Sequence, residues 1–247
     1  MATKSSRPSA VFVAVALFAP MVLASSETAY ASSRMAQANL SGNAFFPLVV
    51  GATWKYKELG GPTGGPALTI HVLRAHKISN GEAVDVQDTI GAGTFTAQYI
   101  VGANGAIEVE ASTGSGSTKM TITGTSSYFI PSASQIASCH PCHFSANFTT
   151  AVSRFSMKEH LAETATSMGA QTVNVPAGTF HAQKLQMAMK ITSSVSGVPF
   201  VDTASYAVFL VKNVGVVETG AGTVSTSVMG HATNASTGTE ELLDYTP

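Results

Sequence analysis

From Gln171 onward two alternating runs face each other across Pro176-Ala177-Gly178, and this segment constrains the chain more than any other. Proline presets the first turn position and glycine takes the left-handed conformation after it. Gln171–Pro176 and Thr179–Ser193 are therefore read as a hairpin with a type I turn and a bulge. Leu185, Met187, Met189 and Ile191 interleave with Lys184, Gln186 and Lys190 at the period of a strand. A chain that contains such an arm builds a sheet around it.

The same period recurs upstream. Thr53–Glu58 sets Trp54 and Tyr56 on one face and Lys55 and Lys57 on the other. The Gly/Pro run 60–66 is a loop, and Leu68–Ile78 is a long strand. Ala83–Ile90 and Thr94–Val101 turn across Gly91-Ala92-Gly93, and Gly105–Ala111 and Thr118–Thr123 continue the meander. Residues 126–168 are less regular; Ser156–Met168 has helix formers, yet its Thr-rich end favours a strand. Tyr206–Val211 and Gly215–Thr219 form a hairpin around Asn213. Gly222–Met229 and Thr239–Leu243 complete the pattern. The expectation is a mainly β fold: one strongly curved antiparallel sheet, a half-barrel or open barrel, with little helix.

The first residues read differently. Lys4 and Arg7 precede an apolar run, Ala10–Ala24, broken by Pro20, and Ala29-Tyr30-Ala31 supplies small residues for a signal peptidase. Residues 1–31 are expected to be a signal peptide, 32–45 a flexible lead-in and 46–247 the antiparallel β domain. The cysteines lie at 139 and 142, far from the cut, so no lipid-bearing N-terminal cysteine is expected. The predicted location is periplasmic or secreted, with no integral membrane segment after cleavage. Charged residues are 11% of the chain and the formal net charge is −1. That disfavours nucleic acid, which needs clustered Lys and Arg.

The motifs Phe46-Pro47-Leu48 with Gly51-Ala52-Thr53-Trp54-Lys55-Tyr56, Val175-Pro176-Ala177-Gly178-Thr179-Phe180-His181-Ala182, Val214-Gly215-Val216-Val217 and Glu240-Glu241-Leu242-Leu243 are familiar together. They resemble a broad group of exported bacterial β-domains of unknown function, loosely similar to the periplasmic lipoprotein-carrier half-barrels. The resemblance implies a curved sheet wrapped round a hydrophobic cavity and transfers no catalytic residue.

One motif lies outside that pattern: Cys139-His140-Pro141-Cys142-His143. The leading reading is a local disulfide between Cys139 and Cys142 in an oxidising compartment. Cys-x-x-Cys-His is also the attachment pattern of c-type haem, with His143 as proximal ligand and Met157, His160 or Met168 as candidates for the far side. That alternative makes the chain an electron-transfer protein. A third reading is a metal site of Cys139, Cys142, His143 and His160, with His140 as a substitute. Thiol oxidoreductase chemistry is disfavoured, because Phe144–Thr150 is a poor helix and offers no N-terminus to activate a thiol.

Glu159, His160 and Glu163 could share a helical face and do acid–base work, but a solvated polar strip is the preferred reading. Gly114-Ser115-Gly116-Ser117 is a turn and not a phosphate cradle. Three Asn-x-Ser/Thr triplets, at Asn39, Asn147 and Asn234, are idle in a bacterial chain. Trp54, Tyr56, Met187 and Met189 are assigned to the core. No nucleophile elbow is present. The function expected is a non-enzymatic binding or structural β-domain without cofactor, its ligand an apolar small molecule or a cell-envelope partner.

Overall fold

The computed structural model describes residues 43–59, 68–90, 93–103, 105, 107–114, 118–122, 130–152, 155–195 and 197–247. The signal peptide and most of the lead-in fall outside these. Asn43 to Phe45, at the end of the expected lead-in, belong to the packed structure: Asn43 is buried and donates its side-chain amide to the Pro131 carbonyl.

The strands are β1 (Thr53–Leu59), β2 (Leu68–Ile78), β3 (Gly81–Ile90), β4 (Gly93–Gly102), β5 (Ile107–Gly114), β6 (Thr118–Ile122) and β7 (Cys142–Val152). Then follow β8 (Phe155–Val175), β9 (Gly178–Val195), β10 (Val198–Val211), β11 (Gly215–Thr219), β12 (Thr223–Val228), β13 (His231–Ser236) and β14 (Thr239–Thr246). A short helix α1 (Ala133–Ser138) precedes β7, with Ser132 and Gln135 forming its capping box. All strand pairings are antiparallel, in the order β11-β14-β1-β2-β3-β4-β5-β6-β7-β8-β9-β10-β12-β13.

The sheet curls until its ends approach each other. β10 pairs with β9 along most of its length, while its other edge is divided. Phe200–Ser205 pairs with β12, and Val208–Val211 with β11. β11 in turn pairs with β14 at only two registers, Glu218↔Glu241 and Thr219↔Glu240. The result is an open barrel with a short seam, from which the β12–β13 hairpin diverges as a wing. Glycine is required at this fork. A Cβ on Gly222 would lie 2.5 Å from the Ser205 carbonyl oxygen and 2.9 Å from Tyr206 Cβ.

The motifs behind the resemblance meet at the seam. Trp54 is 2% exposed and stacks between Phe46, centroids 6.1 Å apart, and Tyr245 at 5.3 Å. Its indole N–H donates to the Val214 carbonyl at 2.5 Å, and the Tyr56 hydroxyl donates to the Val216 carbonyl at 2.9 Å. The tip of the β8–β9 arm reaches the same place, where the Ala177 N–H donates to the Leu242 carbonyl at 3.0 Å. A β-bulge between Ser167 and Ala170 bends the arm so that its tip can do this. Truncating Trp54 to alanine would remove about 3–5 kcal/mol of packing.

Most predicted strands are observed, several with their expected ends. Ser156–Met168 and Gln171–Val175 are one strand, β8, so the helical option for that stretch is overturned. β7, β13, the first half of β10 and helix α1 were not foreseen.

Candidate functional site

Pairing register decides which side chains share a face. On β7 the Phe144, Ala146 and Phe148 side chains are buried, whereas His143, Ser145 and Asn147 are exposed. Alternation then carries both faces across the sheet. The direct partners of Phe144 run Glu163, Met189, Ala204, Val224 and Ala235. In this row Phe144, Glu163 and Ala204 are buried, Met189 and Val224 are half-buried, and Ala235 is exposed. The two rows beside it project outward. One holds His143, Thr164, Ala188, Ser205 and Thr223, the other Ser145, Ala162, Lys190, Thr203, Ser225 and Asn234.

All three rows line a concave groove of about 930 Å³. It crosses β7, β8, β9, β10, β12 and β13, a span of roughly 24 Å at the usual strand spacing of about 4.8 Å. Its lining joins Phe144, Glu163, Met189, Ala204 and Val224 of the first row to hydroxyls, alanines, an imidazole and the Lys190 chain of the rows beside it. Apolar side chains and one buried carboxyl thus stand in the same concavity.

The faces also sort charge. Glu159, Glu163 and Asp202 all take inward positions. Glu163 is 4% exposed and accepts from the Tyr206 hydroxyl at 3.4 Å; burial raises its carboxyl to about 7, with that hydrogen bond opposing the rise. Burial raises Asp202 as well, against a hydrogen bond from Thr226. The outward positions hold Lys158, Lys190, His143 and His160. Among the described residues of these six strands, none of the outward positions carries a carboxylate.

Glu159, His160 and Glu163 therefore do not form the shared face considered from the sequence. On a strand the two acids point one way and the imidazole the other. Nor is Glu163 part of a solvated strip. His160 lies on the surface, its Nδ1 2.9 Å from Asn147 Oδ1.

Cys139 and Cys142 lie with their sulfurs 1.97 Å apart, joined as a disulfide. Cys139 is fully buried, and its carbonyl accepts from the Ser167 N–H at 2.7 Å, which ties the end of α1 to the bulge of β8. Haem does not fit this arrangement. Cys142 and His143 are consecutive on β7, so sulfur and imidazole leave opposite faces and cannot both meet one porphyrin. The metal set does not converge either. His143 is paired with Thr164 and His160 with Asn147, four residues farther along, roughly 14 Å away by strand rise. Among the described residues no group of three or more His, Cys, Asp or Glu could hold a metal ion. Of the proposed axial ligands, Met157 is buried in the sheet and Met168 is exposed at the bulge.

No family model matches the chain, and no curated protein matches it. Among solved structures it is similar to an exported protein with a YmcC-like fold from Bacteroides fragilis, at 14% identity and a TM-score of 0.48. That match covers 82% of this chain and 99% of the other. It is also similar to a lipoprotein from Parabacteroides distasonis, at 14% identity and a TM-score of 0.40, covering 83% and 99%. Scores this low carry no argument about site or activity. Neither name is that of a lipoprotein carrier.

Among the described residues no helix is long and apolar enough to cross a membrane.

Proposed function

We propose that the chain is an exported, periplasmic or secreted, non-enzymatic binding domain that uses the groove across β7 to β13 as its ligand surface. The observation that carries this reading is the groove itself. A concavity of about 930 Å³, lined by Phe144, Met189 and Val224 with Glu163, Lys190 and several Ser and Thr, is within the size range of ligand sites and combines apolar surface with a few polar groups. The cysteine pair fits a structural role, since the disulfide clips the end of α1 against the start of β7.

The test is to block the groove without touching the core. Val224 is half-buried and lines the groove, so Val224→Trp puts bulk into it at a position the core does not close over. Wild-type and variant, purified gently from the native host and matched in thermal midpoint, are compared by native mass spectrometry for co-purifying mass. Adducts held by the wild type and lost from Val224→Trp support the reading. Adducts held equally by both remove the groove from it.

A further inference from the structure

β13 ends the sheet. Every other strand has at least two neighbours, whereas among the described residues β13 pairs with β12 alone. The hairpin turn fixes which of its backbone groups are left over. Val228 and His231 are partners across Met229 and Gly230, whose φ angles of 51° and 84° make a type I′ turn. The pair that closes such a turn exchanges both of its N–H···O bonds, and every second pair along the ladder does the same. His231, Thr233 and Ala235 therefore direct their amides and carbonyls at β12. Those of Ala232, Asn234 and Ser236 point the other way, into the open edge. Native sheets guard such an edge with lysine, proline, a bulge or an inward charge. β13 has none of these. From His231 to Ser236 there is no lysine, carboxylate or proline, the register with β12 runs without a shift, and every residue is exposed.

We propose that β13 pairs with β13 of a second copy of this chain, antiparallel about a two-fold axis through Asn234. Only this register uses every free group. Asn234 of one copy faces Asn234 of the other, and Ala232 faces Ser236 on both sides of the axis, which gives about six hydrogen bonds between the chains. Centring the axis on Thr233 or Ala235 leaves about four. The side chains permit the pairing. Ala232 and Ser236 are small, Thr233 falls beside Ala235 on the other face, the two Asn234 amides can bond each other, and no like charges meet. A second copy fits better than a foreign extended segment, because the strand is its own complement in length, register and neutrality. Each copy offers one terminal strand, so pairing leaves no free end and stops at two. The contact is about 20 Å of strand. That is smaller than the interface of a permanent dimer, so association is expected at about 10–100 μM. Asn234 and Ala235 are also the last lining residues of the groove, so pairing brings the ends of two grooves together.

Sedimentation velocity of the purified protein over about 5–500 μM tests this. The average mass should rise toward that of a dimer. Asn234→Pro removes the central N–H at a position where the ladder with β12 does not use it, so the hairpin should stay folded while the dimer weakens about tenfold or more. Asn234→Lys should weaken it similarly, by setting two ammonium groups against each other at the axis. Mixed in equal amounts with Asn234→Asp, it should form a heterodimer that regains about tenfold. An unchanged thermal midpoint verifies that each variant is folded. A monomer at every concentration, or a monomer carrying a bound peptide at this edge, overturns the proposal. A dimer that survives Asn234→Pro overturns it by placing the contact elsewhere, and mass that climbs beyond two copies overturns the two-fold closure. Failure of Asn234→Lys to pair with Asn234→Asp overturns the register through Asn234.

Discussion

Replacing Glu240 by glutamine should stabilise the protein in alkaline solution and leave it nearly unchanged in acid. Glu240 is 6% exposed, its Oε1 has no hydrogen-bond partner among the described residues, and Glu58 is its direct cross-strand partner. Burial, and then the Glu58 charge, raise its carboxyl from 4.5 to about 8. The folded pKa is therefore above the unfolded one. Stability from this group is complete below about pH 4.5 and is lost as pH rises through 8. A rise of between three and four pH units corresponds to a ceiling of about 5 kcal/mol at about 1.36 kcal/mol per unit. Relaxation of the seam and entry of water reduce this, so about 2–3 kcal/mol is expected at pH 9. Protonated glutamic acid and glutamine have nearly the same shape, so at pH 5 the variant should match the wild type within about 1 kcal/mol. Urea unfolding followed by Trp54 fluorescence reads the difference directly, because Trp54 is the only tryptophan and is buried near the seam. Asp88 and Glu163, each raised to about 7 by burial, tilt both profiles alike and cancel in the comparison. Parallel profiles for Glu240→Gln and wild type from pH 5 to 9 would refute the reasoning.

Three more outcomes follow from the same structure. The Cys139–Cys142 bond closes only a short ring, so on its reduction the protein should lose about 2 kcal/mol and stay folded; urea midpoints with and without reductant measure this, and complete unfolding would show that the clip does more. Gly222→Ala should cost about 2–3 kcal/mol, because the added methyl meets Ser205 and Tyr206 at the fork; hydrogen exchange should show the loss first in β12 and β13, and a neutral variant would mean that the fork is laxer than drawn. Tyr56→Phe should cost about 1–3 kcal/mol by leaving the Val216 carbonyl without its donor, read as a lower thermal midpoint; an unchanged midpoint would separate that bond from the seam.

The strands that alternate cleanly were legible. Leu68–Ile78 and Gly215–Thr219 have their expected ends because turn residues bound them. The first half of β10 was not legible. Its inward residues are Phe200, Asp202 and Ala204, and an acid and a small side chain interrupt the apolar pattern that marks a buried face. β13 has six exposed residues and no apolar face to signal it. β7 does alternate, with Phe144, Ala146 and Phe148 against Ser145 and Asn147, but a Cys-x-x-Cys-His motif at its start suggests loop chemistry before it suggests a strand. The groove could not be found from residue types, because its lining is scattered over more than ninety positions of the chain, from His143 to Ala235. Only the pairing register aligns Phe144, Glu163, Met189, Ala204 and Val224 into one row. Glu163 shows the same limit in reverse: Glu159 and Glu163 look solvated along the chain, and it is the tertiary curl that buries the second of them.

β10 belongs to two neighbourhoods. Its C-terminal residues meet the short seam through β11, and its N-terminal residues hold a hairpin that stands outside that seam. One end of the groove therefore rests on a piece of chain apart from the seam, Thr223 to Ser236, while the other rests on the frame. Lengthening, shortening or exchanging that piece would change how large a ligand the groove can accommodate, with the tryptophan-centred seam left as it is.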